Sequence, residues 1–117
     1  MSNSNWGIEF LKEAEEDLRK LDGSVRAIAL KAIKKVGRNP LPQSESGYGK
    51  PLGNKYGRDL TNLLKIKIKD SGLRVIYSVQ KEKQLMKVII IGVRADDEVY
   101  KEAKKRMDRE NNSGGRF

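Results

Sequence analysis

DLTNLLKIKIKDSGLRVIYSVQ, Asp59 to Gln80, decides the fold class. Its first half alternates, with Leu64, Ile66 and Ile68 on one parity and Lys65, Lys67 and Lys69 on the other. A period of two describes a strand with one face in a core and one face outside it. Asp70, Ser71 and Gly72 supply turn chemistry, and Leu73–Gln80 returns as an apolar, β-branched run. The stretch therefore predicts a β-hairpin with a strongly basic face. If two residues close the turn, opposed residues have an odd index sum and Lys65, Lys67 and Arg74 share that face. A three-residue turn with a bulge would shift the pairing by one.

Downstream, Lys81-Glu82-Lys83 turns the chain into LMKVIIIGVR, Leu85 to Arg94, which is apolar on both parities. That pattern predicts a strand inside the sheet, covered on both faces. Asp96, Asp97 and Glu98 open a final helix expected to run to about Arg109, with its acids first and Lys104, Lys105 and Arg106 late, as the helix dipole favours. Upstream, Gly37 to Arg58 holds all three prolines and reads as a loop. A loop of that length in a compact domain is more often functional or mobile than idle. Before it, Val25, Ile28, Ala29, Ala32, Ile33 and Val36 form a helical stripe, with Ser24 expected as N-cap and Gly37 just past the end. Leu11, Ala14, Leu18 and Leu21 form an earlier stripe, broken at Asp22-Gly23, so the two helices read as a hairpin. Trp6 to Phe10 reads as a short strand. The predicted order is β-α-α-β-β-β-α: an α+β fold with an antiparallel sheet, the helical hairpin on one face and the C-terminal helix at the rim.

The chain of 117 residues predicts one domain, 1–117, with 1–5 and 110–117 as flexible tails. Its hydrophobic fraction is only 37% against 35% charged, so either the core is thin or much of the surface serves a charged partner. Net charge is +9, divided as +2 over residues 1–50 and +7 over 51–117. A concentrated basic surface suits a polyanion, because neutralising phosphates releases counterions. There is no cysteine and no histidine. The first excludes disulfide and thiol chemistry; the second removes the usual general acid/base near neutral pH and, with it, the common transition-metal ligands. No cofactor and no metal are expected. The start, MSNSNWGIEF, lacks the basic and apolar regions of a signal peptide, and no apolar run approaches membrane-spanning length, so a cytoplasmic location is expected.

The hairpin cations have a plain reading as the solvated face of an amphipathic strand. Arg94 at a strand end and Tyr100 early in a helix are equally ordinary when taken singly. Their combination is not. KIKIKDSGLRVIY (Lys65 to Tyr77), IIIGVRADDEVYKEAKKR (Ile89 to Arg106) and the NPLP and GYGKPLGN segments before them resemble, in order and spacing, toxins of the RelE/ParE superfamily. The resemblance extends from Trp6 to about Arg106.

RelE-type toxins cleave mRNA in the ribosomal A site, and the resemblance implies that activity here, with a cognate antitoxin protein, the ribosome and mRNA as partners. Two lysines one residue apart followed by an arginine beyond the turn match Lys65, Lys67 and Arg74. An arginine after the glycine that closes the last strand matches Arg94 after Gly92, and a tyrosine in the final helix matches Tyr100. The implied chemistry is metal-independent: the ribose 2′-oxygen attacks the adjacent phosphate, leaving a 2′,3′-cyclic phosphate and a free 5′-hydroxyl. Lys67, helped by Lys65, would take the 2′ proton or stabilise the 2′-oxyanion. Arg74 would clamp the phosphate, Arg94 would stabilise the departing 5′-oxygen, and Tyr100 would stack on or orient a base. The alternatives are a ParE-like inhibitor of DNA gyrase, whose branch does not keep this five-residue set, and a non-catalytic RNA-binding module.

Overall fold

The computed structural model describes residues 6–55, 58–69, 71–93 and 96–114. The alternating Leu/Lys stretch forms strand β3 (Arg58–Ile68), and the run after the turn forms β4 (Leu73–Gln80). The remaining elements are β1 (Gly7–Phe10), α1 (Lys12–Arg19), α2 (Gly23–Val36), β2 (Lys50–Lys55), β5 (Leu85–Gly92) and α3 (Asp96–Gly114). The sheet order is β1-β5-β4-β3-β2. The α+β class stands, with differences from the sequence reading that matter for the site.

First, β1 pairs parallel with β5, so the sheet is mixed rather than wholly antiparallel. Crossing from β1 to a parallel neighbour requires a long connection, and the rest of the chain before β5 provides it. Second, the segment read as loop contains β2, which pairs antiparallel with β3. Its Pro51 and glycines hide the strand from any propensity reading, and an edge position tolerates the proline. Tyr56 of that segment lies outside the described residues. Third, α3 covers a sheet face rather than the rim, and it continues to Gly114, into the stretch expected to be a frayed tail.

Each sheet face has its own core. Leu64, Ile66, Ile68, Leu73, Val75 and Tyr77 project from β3 and β4 toward α1 and α2, meeting Ala14, Ala29, Ile33 and Val36. Leu60, Leu63, Ile76, Ile89 and Ile90 project the other way, under Val99, Tyr100 and Ala103 of α3. β5 contributes to both clusters, as its unbroken apolar run predicts.

The helical hairpin is locked by Arg26. Its guanidinium donates to the carbonyls of Leu18 (3.2 Å), Arg19 (3.1 Å) and Leu21 (2.8 Å), which lie at and just beyond the C-terminus of α1. The last carbonyls of a helix lack partners in the helix itself, and a cation there also meets the negative dipole end. Ser24 is not the N-cap: α2 begins at Gly23, and Asp22 precedes it without a side-chain cap bond. Gly37 closes α2 in a right-handed conformation (φ −62°), so a left-handed turn does not explain it. A Cβ there would crowd the Ile33 carbonyl at 3.1 Å and push the end of the Ile8 side chain aside.

β1 runs out at Phe10, opposite Val88, leaving the next residues of β5 without a neighbouring strand. Two side chains take its place. Arg106 of α3 donates to the Ile89 carbonyl (2.9 Å), and Asp17 of α1 accepts from the Ile91 amide (3.1 Å). The two are ion-paired at 2.8 Å, with Arg106 only 8% exposed. Burial pulls the Arg106 pKa down, but hydrogen bonds and charge from Asp17 and Glu102 outweigh it, for a net rise. This clamp ties α1 and α3 to one strand edge.

Candidate active site

The β3–β4 register places Lys67 directly across from Arg74, and Ile68 across from Leu73, with residues 69–72 between them. The turn is thus longer than two residues, but four preserve the same odd-sum parity, and the expected juxtaposition holds. Asp70 within it lies outside the described residues. Lys65 follows two positions back on β3, on the same face. Arg74 lies in turn across from Gly92 of β5. Lys67, Arg74 and Gly92 therefore form one row across three strands, near the end of the sheet where α3 begins.

One cation was missed by the sequence reading. Lys50, assigned there to a loop, is on β2 directly across from Lys65 and shares its face. Only strand register could reveal it, because the signal for β2 is masked by proline and glycine. Lys50 and Lys67 are exposed, whereas Lys65 and Arg74 are half-buried. Arg74 Nη1 donates to the Gly72 carbonyl at 2.9 Å, which braces the guanidinium against its own turn.

Lys65 leans toward α3. Its Nζ donates to the Tyr100 hydroxyl at 2.9 Å and lies 5.6 Å from the ring centroid. The Tyr100 ring is only 1% exposed, so no open face is left for a base to stack on. Its hydroxyl, by contrast, orients an ammonium at the edge of the basic cluster. Arg94 lies outside the described residues.

Beneath the opposite face, Tyr77 is fully buried and donates to the Pro40 carbonyl at 2.8 Å. Burial pushes its phenol well above the ordinary range. Gly49 packs over it, where a Cβ would clash with the phenol oxygen and the Leu64 side chain. This contact ties the 40–49 segment to the sheet just before β2, and so supports the strand that carries Lys50.

Among the described residues, no helix is long and apolar enough to cross a membrane. What the arrangement can do chemically is concentrate positive charge, with arginine geometry suited to a phosphate, at one end of the sheet.

Comparison with known proteins agrees with this fold. Residues 8–98 match the family described as the ParE toxin of the type II toxin–antitoxin system parDE. The chain is 33% identical over 100 residues to the mRNA interferase toxin RelE of Escherichia coli K12, covering 86% of this chain and 95% of that protein. Its structure is similar to that of the E. coli RelE toxin, solved in the free state as a double arginine-to-alanine mutant. That match has TM-score 0.66 and 33% identity over 86% of this chain and 96% of the other. A further likeness is to the intact E. coli RelBE toxin–antitoxin complex, with TM-score 0.59 and 28% identity, covering 77% of this chain and 98% of that one. The shared fold, the length of the match and the level of identity together make this chain a member of the RelE/ParE superfamily of type II toxin–antitoxin toxins.

Proposed function

We propose that this chain is the RelE-type member of a toxin–antitoxin pair, a ribosome-dependent endoribonuclease that cleaves mRNA in the A site and is neutralised by a cognate antitoxin protein. The observation that carries the reading is the Lys67–Arg74 cross-strand pair with Lys65 beside it. The identity to an mRNA interferase supports the reaction, and the likeness to a toxin–antitoxin complex supports the partner.

Cleavage proceeds by in-line attack of the 2′-oxygen on the adjacent phosphorus. The P–O2′ bond forms and the P–O5′ bond breaks; the 2′ proton leaves to a neutral lysine amine or to water, and the 5′-oxygen takes a proton from water. Lys67 takes the 2′ proton or stabilises the oxyanion, and Arg74 binds the non-bridging oxygens in which negative charge builds. Lys65 adds charge from a position fixed by Tyr100, which makes Tyr100 a positioning residue rather than a stacking platform. Arg94 stabilises the departing 5′-oxygen. Without a strong general base, the rate depends on the ribosome holding the message in the reactive geometry. Purified protein should therefore leave naked RNA largely intact and cut mRNA on translating ribosomes. Rapid cleavage of free RNA at neutral pH would contradict the proposal.

The family description keeps a second reading in play: a ParE-like inhibitor of DNA gyrase without nuclease chemistry. Induction in growing cells separates them. Translation stops first under the proposed function, and replication stops first under the alternative.

A further inference from the structure

α2 carries a charge pattern that cleavage does not use. Lys31, Lys34, Lys35 and Arg38 are all exposed, and their spacing (i, i+3, i+4, i+7) puts them on one side of the helix and its immediate continuation. At 1.5 Å per residue the stripe extends roughly 10 Å. The chain has no acidic residue between Asp22 and Glu45. Among the described residues, none of the four is paired with a carboxylate. The helix dipole favours cations in the last turn and accounts for Lys34 and Lys35, but Lys31 lies a turn further in. Like charges at these spacings destabilise a helix, so folding alone gives no reason for the stripe.

We propose that this exposed face of α2 docks on the phosphate backbone of double-helical RNA, as a second RNA contact apart from the candidate cleavage site. Three features favour this occupant. A nucleic-acid duplex is densely anionic, about one negative charge per 1.7 Å of axis in the DNA case, so a row of four cations roughly 10 Å long faces several phosphates at once. Sites for single strands interleave cations with several aromatic platforms, whereas the cavity beside Lys35 has one aromatic in its lining, Tyr48. A tight protein partner needs several buried apolar anchors, and α2 exposes one large hydrophobic, Ile28, beside four long cationic side chains. Of the stripe, Lys35 also lines a cavity of about 330 Å³ with Val36, Tyr48, Ile66 and Ile68, on the helix-covered side of the sheet, and Lys67 reaches its rim. This inference rests on the proposed function only for the identity of the polyanion.

The test measures binding to a fluorescein-labelled RNA duplex of about 16 base pairs, of arbitrary sequence, across a range of salt concentrations. The triple variant Lys31→Ala/Lys34→Ala/Arg38→Ala should lower the slope of log affinity against log salt by about 2–3 and weaken binding at least ~10-fold near physiological salt. A control variant, Lys83→Ala/Lys101→Ala/Lys105→Ala, removes the same charge from exposed positions away from α2 and should leave the slope within about 1 of wild type. Thermal melting checks that both remain folded. Equal losses in the two variants would reduce the effect to net charge and overturn the proposal. So would loss of binding to a polyglutamate peptide with duplex binding retained, since the surface would then belong to an acidic protein. Cleavage of ribosome-bound mRNA by wild type is scored separately. Its absence, with the duplex result as expected, would refute the cleavage reading and leave this surface standing.

Discussion

Lys65 Nζ donates to the Tyr100 hydroxyl across 2.9 Å, joining the basic strand to the helix that covers its face. A hydrogen bond to a charged group contributes roughly 1.5–3 kcal/mol, enough to alter a rate about tenfold when it positions a reacting group. Tyr100→Phe should lower ribosome-bound mRNA cleavage by about that factor while leaving the ring packing intact. In a Lys65→Ala background the same change should cost almost nothing, because the partner is gone. Additive losses in the double-mutant cycle would mean that Tyr100 acts independently of Lys65.

Arg74→Ala should reduce cleavage ~100-fold, on the order of 3 kcal/mol, with little loss of stability, since it removes a contact that strengthens as charge builds on phosphate. Lys69→Ala, an exposed cation just beyond β3, should cost much less. Lys87 is a poor control, because it is ion-paired to Glu9 and Glu110 and its loss disturbs packing. Equal effects of Arg74→Ala and Lys69→Ala would indicate a diffuse basic surface rather than a site.

Arg26→Ala leaves three carbonyls at the end of α1 without their guanidinium. The expected cost is about 1–3 kcal/mol, read from denaturant or thermal unfolding. Specific activity of the folded fraction should not change. A variant as stable as wild type would show that water replaces these contacts without penalty.

Asp17→Ala and Arg106→Ala should each destabilise by about 3–5 kcal/mol, because either one strands a buried charge and uncovers an edge of β5. The double variant should cost clearly less than the two losses added together. Strict additivity in unfolding experiments would argue that the pair is not coupled.

Tyr77 sets a pH dependence. Its folded-state pKa is raised, so the folded protein holds the phenolic proton more tightly than the unfolded chain. Its contribution is fully present below about pH 10 and is lost as pH rises above that value, at up to about 1.4 kcal/mol per pH unit. Tyr77→Phe should be less stable at neutral pH, through the unpaired Pro40 carbonyl, but should show a shallower decline in alkaline unfolding curves. Parallel declines for the two proteins would rule out Tyr77 as the group responsible.

Much of this arrangement was written locally. Alternation of Leu64, Ile66 and Ile68 with the lysines is a property of consecutive residues, and a strand turns alternate side chains to opposite faces whatever lies around it. The basic face of β3, the doubly covered β5 and the α+β class were therefore legible in consecutive residues, whereas the opposition of Lys67 and Arg74 depended on the turn, which closes with four residues. The other features depend on contacts between residues far apart in the chain. Lys50 comes opposite Lys65 because β2 finds an edge to pair with, although proline and glycine give it no strand signature. β1 is parallel to β5 because the chain between them returns to the far side of β4, and no local pattern encodes that direction. Asp17 and Arg106 are 89 residues apart and meet because β1 stops short, leaving backbone groups that must be satisfied. Tyr100 faces Lys65 for a similar reason: α3 buries its apolar stripe on the sheet, and that packing, not helix periodicity, selects which strand residue its hydroxyl reaches.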